Sequence, residues 1–431
     1  MKRRLLALMI ALLVTVLAGC GGKTAQEDTA GFKPALDAKT AAKVVVAGNY
    51  SNFEALEAIF EDFNAIYPEV ELSYFKPDDY NNMISTILES SDAPDIYFTF
   101  YWMFWRKQYA ACLTHAEDLS DPALGLNLDG IRPGLLTRDA DGKLPMVPVF
   151  ATTHGMLVNN DLFEKEGVSI PTTYPELLTA CAALREKGYA SPMLGYNGNP
   201  STSLVNSITY PYFCGTIAGD AEAVAAANAL DPTAGEHMRP ALERITDMLA
   251  QGCIDLAECA KIEDNYSAVI LRFFEGDVPM MVCSGDPVSG TKKRESQSEA
   301  FTANPFKYSF VPIPLTEEGT YLLDTASIQF SVNKDSANLA MANEFMRFLL
   351  TTEELNKMAE IKRLVTPSVD LSYDSVYAAL ANVKPEQIVS PEAAHIADDA
   401  AIQMRLAADS VVNGGLSIDD AIAQYGTFAQ S

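Results

Sequence analysis

Basic charge is scarce in this 431-residue chain, where 31 Lys and Arg stand against 57 Asp and Glu for a formal net charge of −26. So acidic a molecule repels phosphate backbones, which excludes nucleic acid as a partner; the plain reading is a soluble, self-repelling surface. Histidine occurs only four times, and the seven cysteines include no C-x-x-C pair and no His-containing metal spacing. No metal and no cofactor is therefore expected. Motifs of common catalysts are missing too: there is no G-x-S-x-G, H-E-x-x-H, Walker loop or complete EF-hand loop, and Asp139-x-Asp141-Gly is too short a fragment to count. Beyond the first twenty residues no apolar run is long enough to span a bilayer.

What is present begins with a leader. Met1-Lys2-Arg3-Arg4 precedes an apolar stretch from Leu5 to Leu17, then Ala18-Gly19-Cys20. The plan of basic, apolar and small residues is that of an export signal over 1–19. Its apolar helix reaches only about 20 Å, short of a roughly 30 Å hydrocarbon core, so cleavage is expected rather than a span. A cysteine directly after Leu-Ala-Gly resembles the lipobox of bacterial lipoproteins, which implies a lipid on Cys20. Two acyl chains suffice for stable anchoring. Residues 20–42 lack any apolar period and read as a mobile tether. The expected location is the outer face of the cell membrane, with Cys20 as the membrane contact.

Six cysteines follow Cys20, at Cys112, Cys181, Cys214, Cys253, Cys259 and Cys283, mostly in apolar surroundings where they act as small core residues. Cys253 and Cys259 are near enough to bridge a turn, but export alone does not dictate an oxidising folding route, and free thiols are favoured.

The remaining length exceeds one ordinary core, so two lobes are expected. Lys43 to Ala47 reads as a strand, followed by Ser51 or Asn52 as cap and a helix carrying Phe53, Leu56, Ile59, Phe60 and Phe63. Val70 to Phe75 is a second strand, Asp78 the cap of a second helix, and Asp95 to Phe98 a third strand after Ala93-Pro94. Such alternation predicts a parallel α/β sheet, with ligand at the carboxyl ends of its strands. Loops 48–52, 76–79 and 99–104 thus share one edge. The last leads into Tyr101-Trp102-Met103-Phe104-Trp105, with both tryptophans of the chain. Tyr101 and Trp102 are expected to stack on a sugar face, Phe104 and Trp105 to pack inward.

Four segments in order, "MISTILESSDAPDIYF", "GKLPMVPVF…MLVNNDLFEKEGVSIPTTYPELLTACAAL", "FFEGDVPMMVCSGD" and "SIQFSVNKDSANLAMANEFMRFLLTTEELNKMAE…LVTPS", resemble the family 1 extracellular solute-binding proteins of ABC importers, the maltodextrin-binding-protein-like group. Locally, Asn160 or Asp161 should cap one helix, Pro175 sit in the first turn of another, and 337–350 form an amphipathic helix. The resemblance implies a type II periplasmic-binding-protein fold: two discontinuous lobes, 43–150 plus 326–366 and 151–325 plus 367–431, with a ligand cleft at the hinge. Crossings are implied near 149–153, 323–327 and 366. Cleft closure over a small polar solute, a sugar by the reading of the aromatic loop, would signal the permease subunits, with the chain acting as a monomer.

Candidate ligand contacts follow from strand ends and the resemblance. The first lobe offers Asn49, Tyr50, Asn52, Asp78, Tyr101 and Trp102, Asp78 being either cap or hydroxyl acceptor. At the first crossing stand Thr152, Thr153 and His154, the histidine read as a polar cleft contact rather than a catalyst. The second lobe adds Asn197, Asn199, Ser284 and Asp286, and the second crossing Asp324 and Thr325. Two departures weigh against a maltodextrin-like ligand: Val158 stands where an aromatic is usual, and Ser284-Gly285-Asp286-Pro287 replaces a stacking tryptophan. The competing functions are a secreted carbohydrate-active enzyme, which also needs a cleft and carboxylates, and a solute sensor without transport.

Overall fold

Two mixed sheets organise the computed structural model, which describes residues 32–263, 265–284, 288–370 and 375–429. The leader, Cys20 and most of the tether fall outside them, as does Asp286. Everything below lies within the unit Pro34–Ser431.

The strands are β1 (Ala42–Ala47), β2 (Val70–Phe75), β3 (Ile96–Thr99), β4 (Val147–Thr152), β5 (His154–Asn159), β6 (Met193–Leu194), β7 (Met280–Ser284), β8 (Tyr308–Val311), β9 (Leu322–Leu323), β10 (Thr325–Val332) and β11 (Ile388–Val389). The first sheet has the order β2-β1-β3-β10-β4, the second β6-β7-β5-β8, and β9 pairs with β11. Strands β1, β2 and β3 run parallel, so the loops that follow them do share one edge. Each sheet also holds one inverted strand, β10 in the first and β5 in the second. The purely parallel expectation is corrected there: the chain leaves the first sheet along β4 and passes into the second along β5, with Thr153 alone between them.

Amphipathic helices cover the sheets. Helix α1 (Glu54–Ile66) buries Leu56, Ile59, Phe60 and Phe63, and α2 (Tyr80–Leu88) buries Tyr80, Ile84 and Leu88. In the second half lie α3 (Asn160–Glu166), α4 (Tyr174–Glu186), α5 (Leu204–Ile217) and α6 (Tyr266–Phe273). Then come α7 (Leu339–Leu349), α8 (Thr352–Lys362) and α9 (Asp398–Val412). Rings knit the first core: Phe63 meets Tyr67, Phe345 and Phe348, and Phe98 stacks on Phe330 at 5.2 Å. Each such pair adds about 0.5–1.5 kcal/mol beyond its buried area. Gly48 is required at the end of β1, because a Cβ there would stand 2.5 Å from the Phe98 ring. The second core gathers Leu157, Phe163, Leu177, Phe213, Phe273 and Phe310 with Leu323, Tyr377 and Met404.

Capping corrects several boundaries. The cap of α1 is Phe53, not Ser51 or Asn52, and that of α2 is Asp79 at φ 50, not Asp78. Asn159 caps α3 by accepting from the Leu162 N–H, in place of Asn160 or Asp161. Thr173 and Glu176 form the capping box of α4, with Pro175 in its first turn as expected. Val158 is fully buried in β5, which explains why an aliphatic residue stands there: its side chain fills the second core. All six described cysteines are buried, and none forms a disulfide with another described residue. Among the described residues no helix is long and apolar enough to cross a membrane.

Candidate functional site

An open cavity of about 490 Å³ lies where the chain passes between the sheets. Its wall comes from many strand ends and helix starts. Thr152 ends β4 and His154 begins β5; Tyr196 follows β6, and Val282 to Ser284 close β7. Asn206, Ser207 and Tyr210 come from α5, Asn265 and Val269 from the start of α6, and Arg405 from α9. Spacing explains the α5 set, since positions i, i+1 and i+4 of a helix lie on one side of it. Gly195 lets the β6 turn approach closely, as a Cβ there would be 2.7 Å from Leu204 and 2.9 Å from the Val282 carbonyl. Pro211 lies inside α5 and gives no N–H to the Ser207 carbonyl, which loosens the turn that carries these residues.

Three wall residues hold buried polar atoms without a partner among the described residues: Thr152 Oγ1, Asn206 Oδ1 and Arg405 Nε. Unpaired buried polar atoms cost on the order of 1–3 kcal/mol each, so three around one cavity mark a place where a polar ligand completes the bonding. The remaining groups are partly engaged. Asn206 Nδ2 donates to the Ser201 carbonyl at 3.0 Å, Arg405 Nη1 to Ser201 Oγ at 3.2 Å, and Asn265 Oδ1 accepts from the Ala268 N–H.

His154 Nδ1 lies 3.0 Å from Ser207 Oγ. Burial, and then the Arg405 charge, push its pKa down to about 4. The ring is therefore neutral near pH 7. A histidine so weakly basic is poorly matched to taking a serine proton, whereas a neutral imidazole donates and accepts well toward hydroxyls.

Among the sequence-predicted contacts, Thr152, His154 and Ser284 line this cavity. Thr153 is buried beside them and aims Oγ1 at the His154 carbonyl, 3.5 Å away. The others have different surroundings. Asp324 is held bidentately by Arg132, with both bonds at 2.7 Å, and Arg132 also donates to the Thr366 and Ser368 carbonyls. This corrects the reading of Asp324 as a free cleft carboxylate: it clamps two crossings. Thr325 donates to Glu392 at 2.5 Å, and the same carboxylate accepts from the Ala326 N–H. Burial raises the Glu392 pKa to about 7. Tyr101 donates to the Ile396 carbonyl at 2.9 Å, and Trp102 is stacked on Phe100 with Tyr109 at its edge. Both belong to a 3-10 turn, Tyr101–Trp105, rather than an open loop. Met103 is its core residue, and Phe104 and Trp105, expected inside, are half-buried.

Tyr50 turns its edge to Phe53 and Phe98, beneath the Lys362 ammonium at 4.9 Å. Asn49 keeps an unpartnered buried Oδ1, while Asn52 and Asp78 are exposed. Asn197 donates to Asn413, and Asn199 accepts from the Ser201 N–H. None of these lines the cavity.

Asn206, Tyr210, Asn265 and Arg405 escaped the sequence reading. One signal was available for the last: Arg405 is the only Lys or Arg after Lys384.

Two α/β lobes joined by crossing strands, with an open cavity beside the crossing, define a type II periplasmic solute-binding protein. Residues 47–355 match the profile described as bacterial extracellular solute-binding protein, and the chain belongs to that family. It is similar to the melibiose/raffinose/stachyose-binding protein MelE of Bacillus subtilis (strain 168), at 24% identity over 185 residues, 43% of this chain and 40% of MelE. The match thus spans less than half of that relative. Among solved structures, RafE in complex with raffinose is 16% identical with a TM-score of 0.64, covering 90% of this chain and 99% of RafE. A family 1 extracellular solute-binding protein from Bifidobacterium longum subsp. infantis, also 16% identical, has a TM-score of 0.65 and covers 89% and 98%.

Proposed function

We propose that this protein captures a carbohydrate between its lobes and hands it to the permease of an ABC importer, held at the outer membrane face by lipid on Cys20. The observation that carries the capture step is the cavity at the crossing, where Thr152, Asn206 and Arg405 present unsatisfied polar atoms. The saccharide ligands of MelE and RafE, named with those proteins, support a sugar as the class. In this reading the lobes are 43–150 plus 326–366 and 151–325 plus 367–431, and the chain works as a monomer without turnover. All the described lining residues fall in 151–325 plus 367–431, so the ligand sits first on the second lobe, and closure adds the contact with the first lobe that shifts the open–closed balance.

Thermal melts across a panel of mono- and oligosaccharides test capture. A ligand at 100 times its dissociation constant should add about 2.7 kcal/mol of stability. Silence from every carbohydrate, with a clear shift from another solute class, overturns the assignment. Hydrolysis of a bound sugar would favour an enzyme, and unimpaired uptake after deletion would favour a sensor. Palmitate labelling of the wild type but not of Cys20→Ala tests the anchor.

A further inference from the structure

The charge inside the cavity narrows the ligand further, on the basis of the carbohydrate reading above. No Asp or Glu is among the described residues that line it, and Arg405 is its single cationic side chain. Arg405 makes no ion pair within hydrogen-bond reach; its one described bond is from Nη1 to Ser201 Oγ at 3.2 Å, and Nε is buried and unpartnered. The nearby carboxylate on the same helix, Asp398, is taken by Arg106, through Nε at 2.8 Å and Nη2 at 2.5 Å. Two guanidiniums therefore share one carboxylate, and His154 beside them is neutral. Among the described residues the local sum is one positive charge at the cavity wall.

A neutral sugar leaves that charge unbalanced. Buried guanidiniums are ordinarily matched by an anion, because removing a charge from water is costly unless a counter-charge and hydrogen bonds replace the solvent. A carboxylate accepts two parallel N–H bonds from one guanidinium, and Arg405 has Nε free for one of them. A monoanion also matches the single excess charge. The hydroxyl-bonding groups around it, Thr152, Asn206, Ser207 and neutral His154, suit the ring of the same molecule. We infer that the ligand is an acidic sugar, a uronic acid or uronic-acid-containing oligosaccharide, whose carboxylate is received by Arg405.

The test uses the purified full-length protein, its Arg405→Met and Arg405→Lys variants, and matched probes: galacturonate and digalacturonate against galactose and galactobiose, with glucuronate against glucose as the epimeric set. Titration calorimetry and thermal melts should show a uronide binding roughly 10- to 100-fold more tightly than its neutral counterpart, the range of a charge-assisted pair. Arg405→Met should abolish that preference while melting no lower than the wild type without ligand, since it removes an unpaired buried charge. Arg405→Lys should retain part of it. Equal affinity for charged and neutral partners, or uronide binding undiminished in Arg405→Met, overturns the inference. Tight binding of neutral sugars alone overturns it and leaves the carbohydrate reading standing. Failure of every sugar, charged or neutral, overturns both.

Discussion

Replacing Asp324 by Ala separates a structural clamp from a ligand contact. The Asp324 carboxylate accepts two bonds of 2.7 Å from Arg132, and both side chains are 16% exposed. Breaking a buried pair by removing one partner costs about 3–5 kcal/mol, because the other charge is stranded. Arg132 keeps its bonds to the Thr366 and Ser368 carbonyls, which places the expected loss near the lower end, about 3 kcal/mol. For a body this large the melting temperature moves by roughly 1–2 °C per kcal/mol, so the shift should be about 3–6 °C downward. A double-mutant cycle of Asp324→Ala with Arg132→Met, read by chemical denaturation, should give a coupling of about 2 kcal/mol. The exposed Lys43–Glu71 pair, 60% and 68% exposed, serves as a control expected to change little. Saccharide binding by Asp324→Ala should persist at temperatures where the variant is folded. The opposite pattern, an unchanged melt with lost binding, would show that Asp324 holds ligand and refute the clamp.

Titration gives two further predictions of opposite sign. His154 has its pKa lowered from 6.5 to about 4, so the stability it contributes is complete above pH 6.5 and is lost as pH falls toward 4. Denaturation at pH 7 and pH 4.5 should show His154→Gln to be less acid-sensitive than wild type, by roughly 3 kcal/mol at most; identical pH slopes would contradict this. Glu392, raised from 4.5 to about 7, contributes stability that is full below pH 4.5 and lost as pH rises through 7. Glu392→Gln keeps an acceptor for Thr325 and Ala326, so it should outlast wild type above pH 7; equal stability at pH 8 would sink that account. Thr152→Val and Asn206→Leu remove orphan polar atoms from the cavity wall. Thr152→Val should leave the unliganded melt unchanged or slightly raised, Asn206→Leu should cost about 1 kcal/mol through its lost bond to the Ser201 carbonyl, and each should weaken ligand by about tenfold. Undiminished affinity in both variants would move the ligand away from this cavity.

Local order was legible because it is written locally. Val70–Phe75 and the helix over Phe53–Phe63 follow from period-2 and period-3.6 spacing of apolar residues, and their packing does not depend on distant partners for direction. The α4 capping box and its proline are likewise contained within four residues. Failures at the caps of α1 and α2 have one origin. Several polar residues precede each helix, and which one turns the chain is decided by tertiary contacts, such as Tyr50 bonding to Tyr74 through both its N–H and its carbonyl. The inverted strands β5 and β10 are decided over longer distances still, since β10 joins a sheet whose first strands lie more than 200 residues earlier.

The site divides along the same line. A strand-end rule selects loops at one edge of a sheet, and three of the residues it pointed to, Thr152, His154 and Ser284, line the cavity. It is silent on which polar side chains are already satisfied by protein. Asp324 is consumed by Arg132, Thr325 by Glu392, the Tyr101 hydroxyl by the Ile396 carbonyl, and Asn199 by the Ser201 N–H. Three of those four partners lie 67 to 295 residues away. The partners of a buried polar group are thus fixed by accounting over the whole fold, and what that accounting leaves over is the site. Around this cavity the remainder is Thr152 Oγ1, Asn206 Oδ1 and Arg405 Nε. Arg405 reaches Ser201 across 204 residues of sequence, and no local pattern around it announces that contact. Arg405 is half-buried on α9 and shares Asp398 with Arg106, and its Nε is left with bonding capacity that the inferred carboxylate would use.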